Sequence, residues 1–206
     1  MTSAATPKGM RRRARLISAA AELLLEGGFD AVRHRAVADR AGLPLASTTY
    51  YFESLEDLIV EAVTFACHHD EEAIRLRSEM LTRRRRGHEA TAEALADVFV
   101  GDGTTRDELT TRYEMIVLCA RFPRLRPVLA NRRKLLAGLH CEVLEKSGRV
   151  GSPERVHQLM AVVDGAVVGA LADSVDDVME VTRIALCDVV DVLAPVHADD
   201  RRLNSR

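Results

Sequence analysis

The sequence predicts an all-α protein of about nine helices, and three observations support this expectation. Apolar residues recur at spacings of three and four along most of the chain, which is the periodicity of a helix buried on one face. Sustained alternation of apolar and polar residues is absent, and we find no Asn-Gly or Asp-Gly hairpin. Glycine and proline interrupt the periodic stretches at positions typical of helix boundaries, as at Gly27-Gly28 and Ser152-Pro153.

The composition is that of a chain that folds around a hydrophobic core. It has 206 residues, of which 47% are hydrophobic, enough for one large domain or two small ones. No uninterrupted apolar run approaches the ~20 residues of a membrane span, and residues 1–10 lack the apolar stretch of a secretory signal. We therefore expect a cytoplasmic protein without a membrane partner.

The four cysteines lie far apart in apolar helical stretches, at Cys67, Cys119, Cys141 and Cys187. Because no CxxC spacing occurs, we expect free thiols in a reducing compartment rather than a metal or redox site. The common enzyme motifs GxSxG, HExxH, GxGxxG and the P-loop are missing as well. The sequence thus predicts a protein that is not an enzyme and has no cofactor or metal.

Charge is unevenly distributed along the chain. Residues 1–52 hold eight Lys/Arg and four Asp/Glu, a net charge of +4. Because the whole chain carries −2, the remaining residues carry −6. A basic head on an acidic body is expected when only one end of a protein contacts phosphate groups.

Glycine, proline and N-capping residues predict the order of the segments. We expect a flexible arm (1–9), an N-terminal three-helix domain (10–53), a helical body (54–194) and a flexible tail (195–206). The predicted helices span residues 11–26, 33–40, 44–51, 55–81, 88–100 and 104–121, followed by one that ends near 146 and by 153–172 and 175–193.

Residues 33–51 have the pattern of a helix-turn-helix. One short helix, with Val37 and Ala38 on its inner side, is followed by the turn 41–43 and a second short helix. Gly42 can adopt the positive φ that such a turn requires. Two ordinary surface helices are the alternative, and the local positive charge favours DNA binding.

The second short helix offers apolar groups for thymine methyls, together with hydroxyls and phenols, while nearby arginines can contact phosphate. The predicted DNA-binding residues are Arg33, Arg35, Leu45, Ser47, Thr48, Thr49, Tyr50, Tyr51, Arg11, Arg12 and Arg13.

Four blocks in the first 58 residues resemble the TetR family of bacterial transcriptional regulators: ISAAAEL at 17–23, GFDAV at 28–32, VADRAGL at 37–43 and YYFESLEDL at 50–58. The resemblance implies a homodimer whose first three helices bind a palindromic operator in double-stranded DNA. It further implies a fourth helix linking this domain to a ligand-binding body, and a four-helix dimer interface built from the last two helices. Effector binding would then release the DNA.

Three positions depart from the pattern of this family. The family often carries Thr, Tyr and Lys where this chain has Arg33, Thr49 and Leu55. Because that lysine commonly touches phosphate, we expect the phosphate contacts to shift to Arg33, Arg35 and the arginines at 11–13.

The last two predicted helices are too apolar on all sides for surface helices, and Gly165 and Gly169 permit close helix approach. Either these helices build the core of one chain or part of them forms a subunit interface. Because a palindrome requires two copies, we predict a homodimer interface that contains Val163, Val167, Ala170, Leu171, Ile184 and Val190.

Aromatic, imidazole and thiol side chains of the body suit a small apolar or amphipathic effector of unknown identity. At helical spacing the same residue types also form plain core, and Asp164 alternatively faces solvent or pairs with a neighbouring arginine. The candidate effector-binding residues are Phe65, His69, Phe99, Tyr113, Cys119, His140 and Asp164.

The function predicted from these features is that of a DNA-binding transcriptional regulator, and the family resemblance favours a repressor. The alternative is a helical interaction module that does not bind DNA, which the basic N-terminal segment and the helix-turn-helix pattern argue against. The run Arg83–Arg86 is expected to be a solvated loop, with a second nucleic-acid contact as its alternative.

Overall fold

The structure is a computed structural model that describes residues 6–120, 122–173 and 175–196. Within these residues it contains nine α-helices, one short 3-10 helix (Pro123–Leu125) and no β-sheet, as the periodicity predicts. The α-helices are α1 (Pro7–Ala31), α2 (His34–Ala41), α3 (Ala46–Tyr51), α4 (Leu55–Met80), α5 (His88–Phe99), α6 (Arg106–Cys119), α7 (Arg126–Lys146), α8 (Pro153–Ala172) and α9 (Val178–Leu193).

Helix ends that carry a local capping signal lie where the sequence places them. The Ser54 hydroxyl accepts a hydrogen bond from the Asp57 N–H (3.1 Å) and donates to the Asp57 carboxylate (2.8 Å), so that α4 begins at Leu55. The Ser152 hydroxyl accepts from the Arg155 N–H (3.4 Å) at the start of α8.

The first helix begins earlier than its periodicity suggests. The Thr6 hydroxyl accepts from the Gly9 N–H (3.1 Å) and Pro7 occupies the first turn, so residues 7–9 of the expected arm are helical. At its other end Gly27 and Gly28 both leave helical geometry, with a φ of +65° at Gly28, so the regular helix ends at the predicted glycine pair and one further turn follows to Ala31. Residues 1–5 and 197–206, the rest of the expected arm and most of the tail, lie outside the described residues.

The chain divides into two compact units. Unit 1 consists of Met1–Asp70 and Thr111–Leu129, and unit 2 of Glu71–Thr110 and Ala130–Arg206. Unit 1 thus holds the first three helices and also parts of α4 and α6, which a division by sequence position alone does not group together.

The core of unit 1 is formed by the apolar stripe that the sequence predicts on α1. Leu16 and Leu24 are 0% and 1% exposed and pack with Val37 of α2, Phe52 and Leu58. Because α2 packs on both α1 and α3, the orientation of the short α3 is fixed by its neighbours rather than by its own six residues.

The core of unit 2 surrounds α5. Seven of the twelve residues of α5 are buried, which makes it the central helix of this unit. Helix α9 packs against both α5 and α8, with Leu95, Leu159 and Leu186 fully buried among them.

The arginine run 83–86 is not simply a solvated loop. Arg83, Arg84 and Arg85 are exposed, whereas the Arg86 side chain is 5% exposed. Its guanidinium donates to the carbonyls of Thr82 (2.9 Å), Arg84 (3.3 Å) and Lys146 (3.3 Å). Thr82 and Arg84 follow the end of α4, and Lys146 is the last residue of α7, so Arg86 joins the ends of these two helices.

By length and composition alone, α8 is the one helix among the described residues that could cross a membrane. This is weak evidence, because a core or interface helix passes the same test.

Candidate nucleic-acid interface

The turn between α2 and α3 is closed by backbone hydrogen bonds around Gly42. The Gly42 N–H donates to the Asp39 carbonyl (3.1 Å) and the Leu43 N–H to the Ala38 carbonyl (2.9 Å), the pattern of a helix that ends in a left-handed residue. Gly42 has a φ of +60°, and a Cβ placed on it would lie 3.3 Å from Nη2 of Arg15. Glycine therefore suits this turn both by its dihedral angle and by its lack of a side chain.

Helix α3 presents some of its predicted DNA-binding residues to solvent and buries others. Leu45 is 46% exposed, Tyr50 is 63% exposed, and Thr49 is also exposed. Thr48 is 0% exposed and its hydroxyl donates to the Leu45 carbonyl (2.8 Å), so it packs inward. We therefore remove Thr48 from the candidate surface.

Ser47 and Tyr51 are half-buried at the margins of the same surface. The Tyr51 ring meets the ring of Tyr50 edge-on, with centroids 4.9 Å apart. Tyr51 thus supports the exposed Tyr50 ring rather than projecting beside it.

The arginines of unit 1 divide into those held by acidic partners and those left for an external partner. Arg13 pairs with Glu61 and lies over the Phe52 ring at 5.2 Å, which attaches α1 to the start of α4. Arg40 donates to both carboxylate oxygens of Glu26 (2.8 and 2.7 Å), and these hydrogen bonds hold the pKa of Glu26 below its ordinary value.

Among the predicted phosphate contacts, Arg33 is exposed and pairs with Asp30 at 3.2 Å. Arg11, Arg12 and Arg35 are exposed and form no ion pair within the described residues. The structure places Arg11–Arg13 on α1, within the predicted first helix, and among the described residues Arg13 is the one of the three with an acidic partner.

The candidate effector residues fall into two groups. In unit 2, Phe99 and His140 are 5% and 3% exposed, and their rings stack with centroids 3.5 Å apart. Asp164 belongs to the same unit, and its Oδ2 lies 3.8 Å from Nη1 of Arg133. This matches the alternative in which Asp164 pairs with a neighbouring arginine.

His140 has an unusual hydrogen-bonding state. Its Nδ1 lies 2.8 Å from the Leu136 carbonyl, and because a carbonyl only accepts, Nδ1 carries the proton. Burial lowers the pKa of His140 to about 4, so the ring is neutral near pH 7 and Nε2 is an acceptor. Nε2 is buried and has no hydrogen-bond partner within the described residues.

The remaining four candidates belong to unit 1. Phe65 and His69 are exposed on α4, and Tyr113 is half-buried. Cys119 is fully buried, and burial raises the pKa of its thiol to about 12, which keeps the sulfur protonated and unreactive. Cys119 is thus a packing residue of this unit, and none of the four cysteines forms a disulfide bond within the described residues.

All six predicted dimer-interface residues belong to unit 2, and four of them are buried in its core. Val163, Val167, Ala170 and Val190 are at most 4% exposed, while Leu171 is half-buried and Ile184 is 50% exposed. The sequence pattern missed Val168 and Val192, which are 46% and 68% exposed on α8 and α9. A helical-wheel position opposite the core would have identified both.

The outward face of α8 is built from small residues. Ala161, Gly165, Val168 and Ala172 are exposed at spacings of three and four. A Cβ placed on Gly165 meets no atom within 4 Å, so this glycine is not required by packing inside the chain. Small side chains on an exposed helix face allow another helix to approach closely.

Two family models match the chain. Residues 16–62 match the model described as "Bacterial regulatory proteins, tetR family", and residues 86–192 match "Tetracyclin repressor-like, C-terminal domain". A comparison with curated proteins returned no match.

Several solved structures share the fold. The multidrug binding protein EbrR, solved with proflavin, is 28% identical, with 86% of this chain and 99% of that chain covered and a TM-score of 0.67. A TetR-family member from Streptomyces coelicolor A3 is also 28% identical (86% and 97% covered, TM-score 0.63). A TetR-family regulator from Mesorhizobium loti MAFF303099, at 14% identity, shares the fold alone (91% and 98% covered, TM-score 0.69).

The helix-turn-helix geometry, the helical second unit and the two family models agree, and the second model alone spans more than half of the chain. The chain belongs to the TetR family of DNA-binding transcriptional regulators.

Proposed function

We propose that this regulator is a repressor that binds a palindromic operator as a homodimer in the cytoplasm and is released by a small-molecule effector. The DNA-binding domain would comprise residues 10–53 and the effector and dimerisation domain residues 54–194. The observation that carries the proposal is the surface of α3, where Leu45, Thr49 and Tyr50 are exposed close in sequence to Arg35, which has no acidic partner among the described residues.

Selection of DNA tests operator binding directly. A randomised duplex pool is passed over the purified protein at low ionic strength, and bound sequences are recovered over several rounds. We expect a palindrome whose affinity falls steeply with salt, because phosphate contacts release counterions. Recovery of no enriched sequence, or of binding that salt does not weaken, would contradict the proposal and favour the interaction-module alternative.

The dimer surface is proposed to be the outward face of α8 and α9, with Val168, Ile184 and Val192 at its centre. These side chains are exposed although they are apolar. A two-fold symmetric contact would bury each of them in both subunits. Ile184→Glu introduces a carboxylate at two symmetric places and is expected to yield monomers in light scattering at micromolar concentration. Leu76→Glu on α4, at a leucine of equal 50% exposure, is the matched control and should remain dimeric.

A wild-type protein that is monomeric at this concentration would reject the dimer itself. An Ile184→Glu variant that remains dimeric would instead reject this choice of surface while leaving operator binding in place.

The effector is proposed to contact the stacked pair Phe99 and His140. His140 Nε2 is a buried acceptor without a hydrogen-bond partner among the described residues. An N–H or O–H donor of a bound effector would supply this hydrogen bond. The relative EbrR was solved with proflavin and with ethidium, planar molecules that carry amino N–H donors beside aromatic rings. These dyes are therefore suitable first probes.

Quenching or enhancement of proflavin fluorescence gives its affinity for the protein, and a gel shift shows whether it releases the selected operator. We expect His140→Phe, which keeps an aromatic ring of similar size against Phe99 but lacks the acceptor, to weaken proflavin binding about tenfold. Operator affinity without dye should stay unchanged in this variant. Equal proflavin affinity of the two proteins would remove His140 from the effector site.

A further inference from the structure

Helix α3 lacks the side chains that identify guanine and adenine by paired hydrogen bonds. Between Arg40 and Glu53 the chain contains no charged residue, no asparagine, no glutamine and no histidine. Guanine is read in the major groove chiefly by arginine or lysine, and adenine by asparagine or glutamine. Neither pairing is possible from α3.

Both threonine hydroxyl groups of α3 donate hydrogen bonds within the helix. The Thr48 hydroxyl donates to the Leu45 carbonyl (2.8 Å) from a fully buried position, and the Thr49 hydroxyl donates to the Ala46 carbonyl (3.3 Å). Ser47 is half-buried, and its hydroxyl can donate or accept, so it distinguishes poorly between bases.

Apart from the hydroxyl groups, of which the exposed Tyr50 phenol is the most accessible, the groups that α3 exposes are hydrocarbon. Leu45 is 46% exposed at the start of the helix, the Tyr50 ring is 63% exposed, and Ala46 is exposed between them. Thr49 adds its γ-methyl group, since its hydroxyl is already bound. In the major groove the one apolar group that a base pair presents is the 5-methyl group of thymine.

We propose that α3 recognises its half-site through thymine methyl groups, with Leu45 as the principal contact. The proposal rests on the proposed operator binding and specifies the chemistry of the sequence that is bound. Leu45 is chosen because it is the N-cap residue of α3 and a larger aliphatic side chain than any within the helix, and because the N-terminal end is the one that contacts base edges in this motif. Any guanine contact in the half-site comes from arginines outside α3, such as Arg33 and Arg35.

The expected effect of one methyl group follows from its burial. Removal of one buried methyl weakens Kd about fourfold, the equivalent of about 0.8 kcal/mol. In a palindrome bound by two copies, replacing a symmetric pair of thymines by uracil removes two methyls and should weaken Kd about 15-fold.

The test uses the palindromic duplex recovered by selection, with thymines replaced by uracil one symmetric pair at a time. Kd is measured by fluorescence anisotropy at one fixed salt concentration for the wild type and for Leu45→Ala. We expect at least one half-site pair where uracil weakens wild-type binding about 15-fold. Leu45→Ala should bind the thymine duplex correspondingly weakly and should be insensitive to uracil at that pair.

Two controls separate a methyl contact from other effects. Uracil in the central spacer should leave Kd unchanged within twofold, which excludes a general effect of uracil on the duplex. Leu76→Ala, a truncation of an equally exposed leucine on α4, should keep the wild-type response to uracil. Because Leu45 is exposed, Leu45→Ala should retain the wild-type circular dichroism spectrum.

The proposal fails if the selected half-site contains no thymine, if uracil weakens binding less than twofold at every half-site pair, or if Leu45→Ala responds to uracil as the wild type does. Each of these outcomes leaves operator binding itself intact. Failure to select any duplex would instead overturn the proposed function together with this inference.

Discussion

Arg149 is the buried cation on which the end of unit 2 depends, and its removal should be strongly destabilising. It is 2% exposed, and its guanidinium donates to the Thr91 hydroxyl (3.0 Å), the Ala194 carbonyl (2.9 Å) and the Asp191 carboxylate (2.7 Å). It thereby joins the loop after α7 to α5 and to the end of α9.

The cost of Arg149→Ala can be worked out from these contacts. Each of the two buried hydrogen bonds has a charged donor and contributes about 1.5–3 kcal/mol. The Asp191 carboxylate is 63% exposed, so its ion pair adds no more than about 0.5 kcal/mol. The Ala194 carbonyl, in a residue that is 0% exposed, loses its guanidinium partner. We expect a loss of about 4 kcal/mol in the free energy of unfolding, or roughly 10 °C in Tm for a chain of this size.

Thermal unfolding followed by circular dichroism, at equal protein concentration, measures the shift. Arg183→Ala is the control, because Arg183 pairs with Glu180 one turn away on α9 and is not fully buried, and it should change Tm by less than about 2 °C. A decrease of less than 3 °C for Arg149→Ala would refute the inference that these buried hydrogen bonds hold the unit together.

Three further predictions concern the DNA-binding surface and the buried histidine. Tyr50→Ala combined with Arg35→Ala should abolish operator binding in a gel shift while leaving the circular dichroism spectrum unchanged, because both side chains are exposed; retained affinity would reject α3 as the recognition helix. Arg12→Ala should reduce the slope of log K against log salt by about 2, because each phosphate contact contributes about 0.9 and the proposed dimer has two copies of Arg12. An unchanged slope would show that Arg12 contacts no phosphate. His140 has a pKa lowered to about 4 by burial, whereas the unfolded chain titrates near 6.5, so stability should fall as pH drops from about 6.5 to about 4. Over this pH range the free energy of unfolding measured in urea should fall about 3 kcal/mol less for His140→Phe than for the wild type. Parallel pH profiles of the two proteins would contradict the neutral state of His140.

Local interactions let the sequence predict most helix ends. Ser54, Gly42 and Ser152 mark boundaries that the structure confirms, because a cap is formed by residues within four positions of one another. The start of α1 was placed four residues too late, since Thr6 and Pro7 were assigned to a flexible arm although they form a cap and a first helical turn.

The roles of single side chains on a predicted surface were harder to assign. Thr48 and Thr49 are neighbours of the same residue type, yet one is buried and the other exposed, since successive residues on a helix point about 100° apart. Which of the two threonines is buried depends on how α3 packs on α2, and the six residues of α3 do not specify that packing.

By itself, then, the sequence determined the helical class, the helix-turn-helix and the family, because each of these depends on short-range periodicity, caps and an ordered set of local motifs. Only the tertiary structure decided which arginines are available to DNA and which are not. Arg13, Arg40, Arg86 and Arg149 bind partners on other segments of the chain, up to 60 positions away in the case of Arg86 and Lys146. The charge of an arginine is fixed by its chemistry, but its partner is fixed by the packing of distant segments. Within the part of the chain that the structure describes, that packing leaves Arg11, Arg12 and Arg35 exposed without an acidic partner.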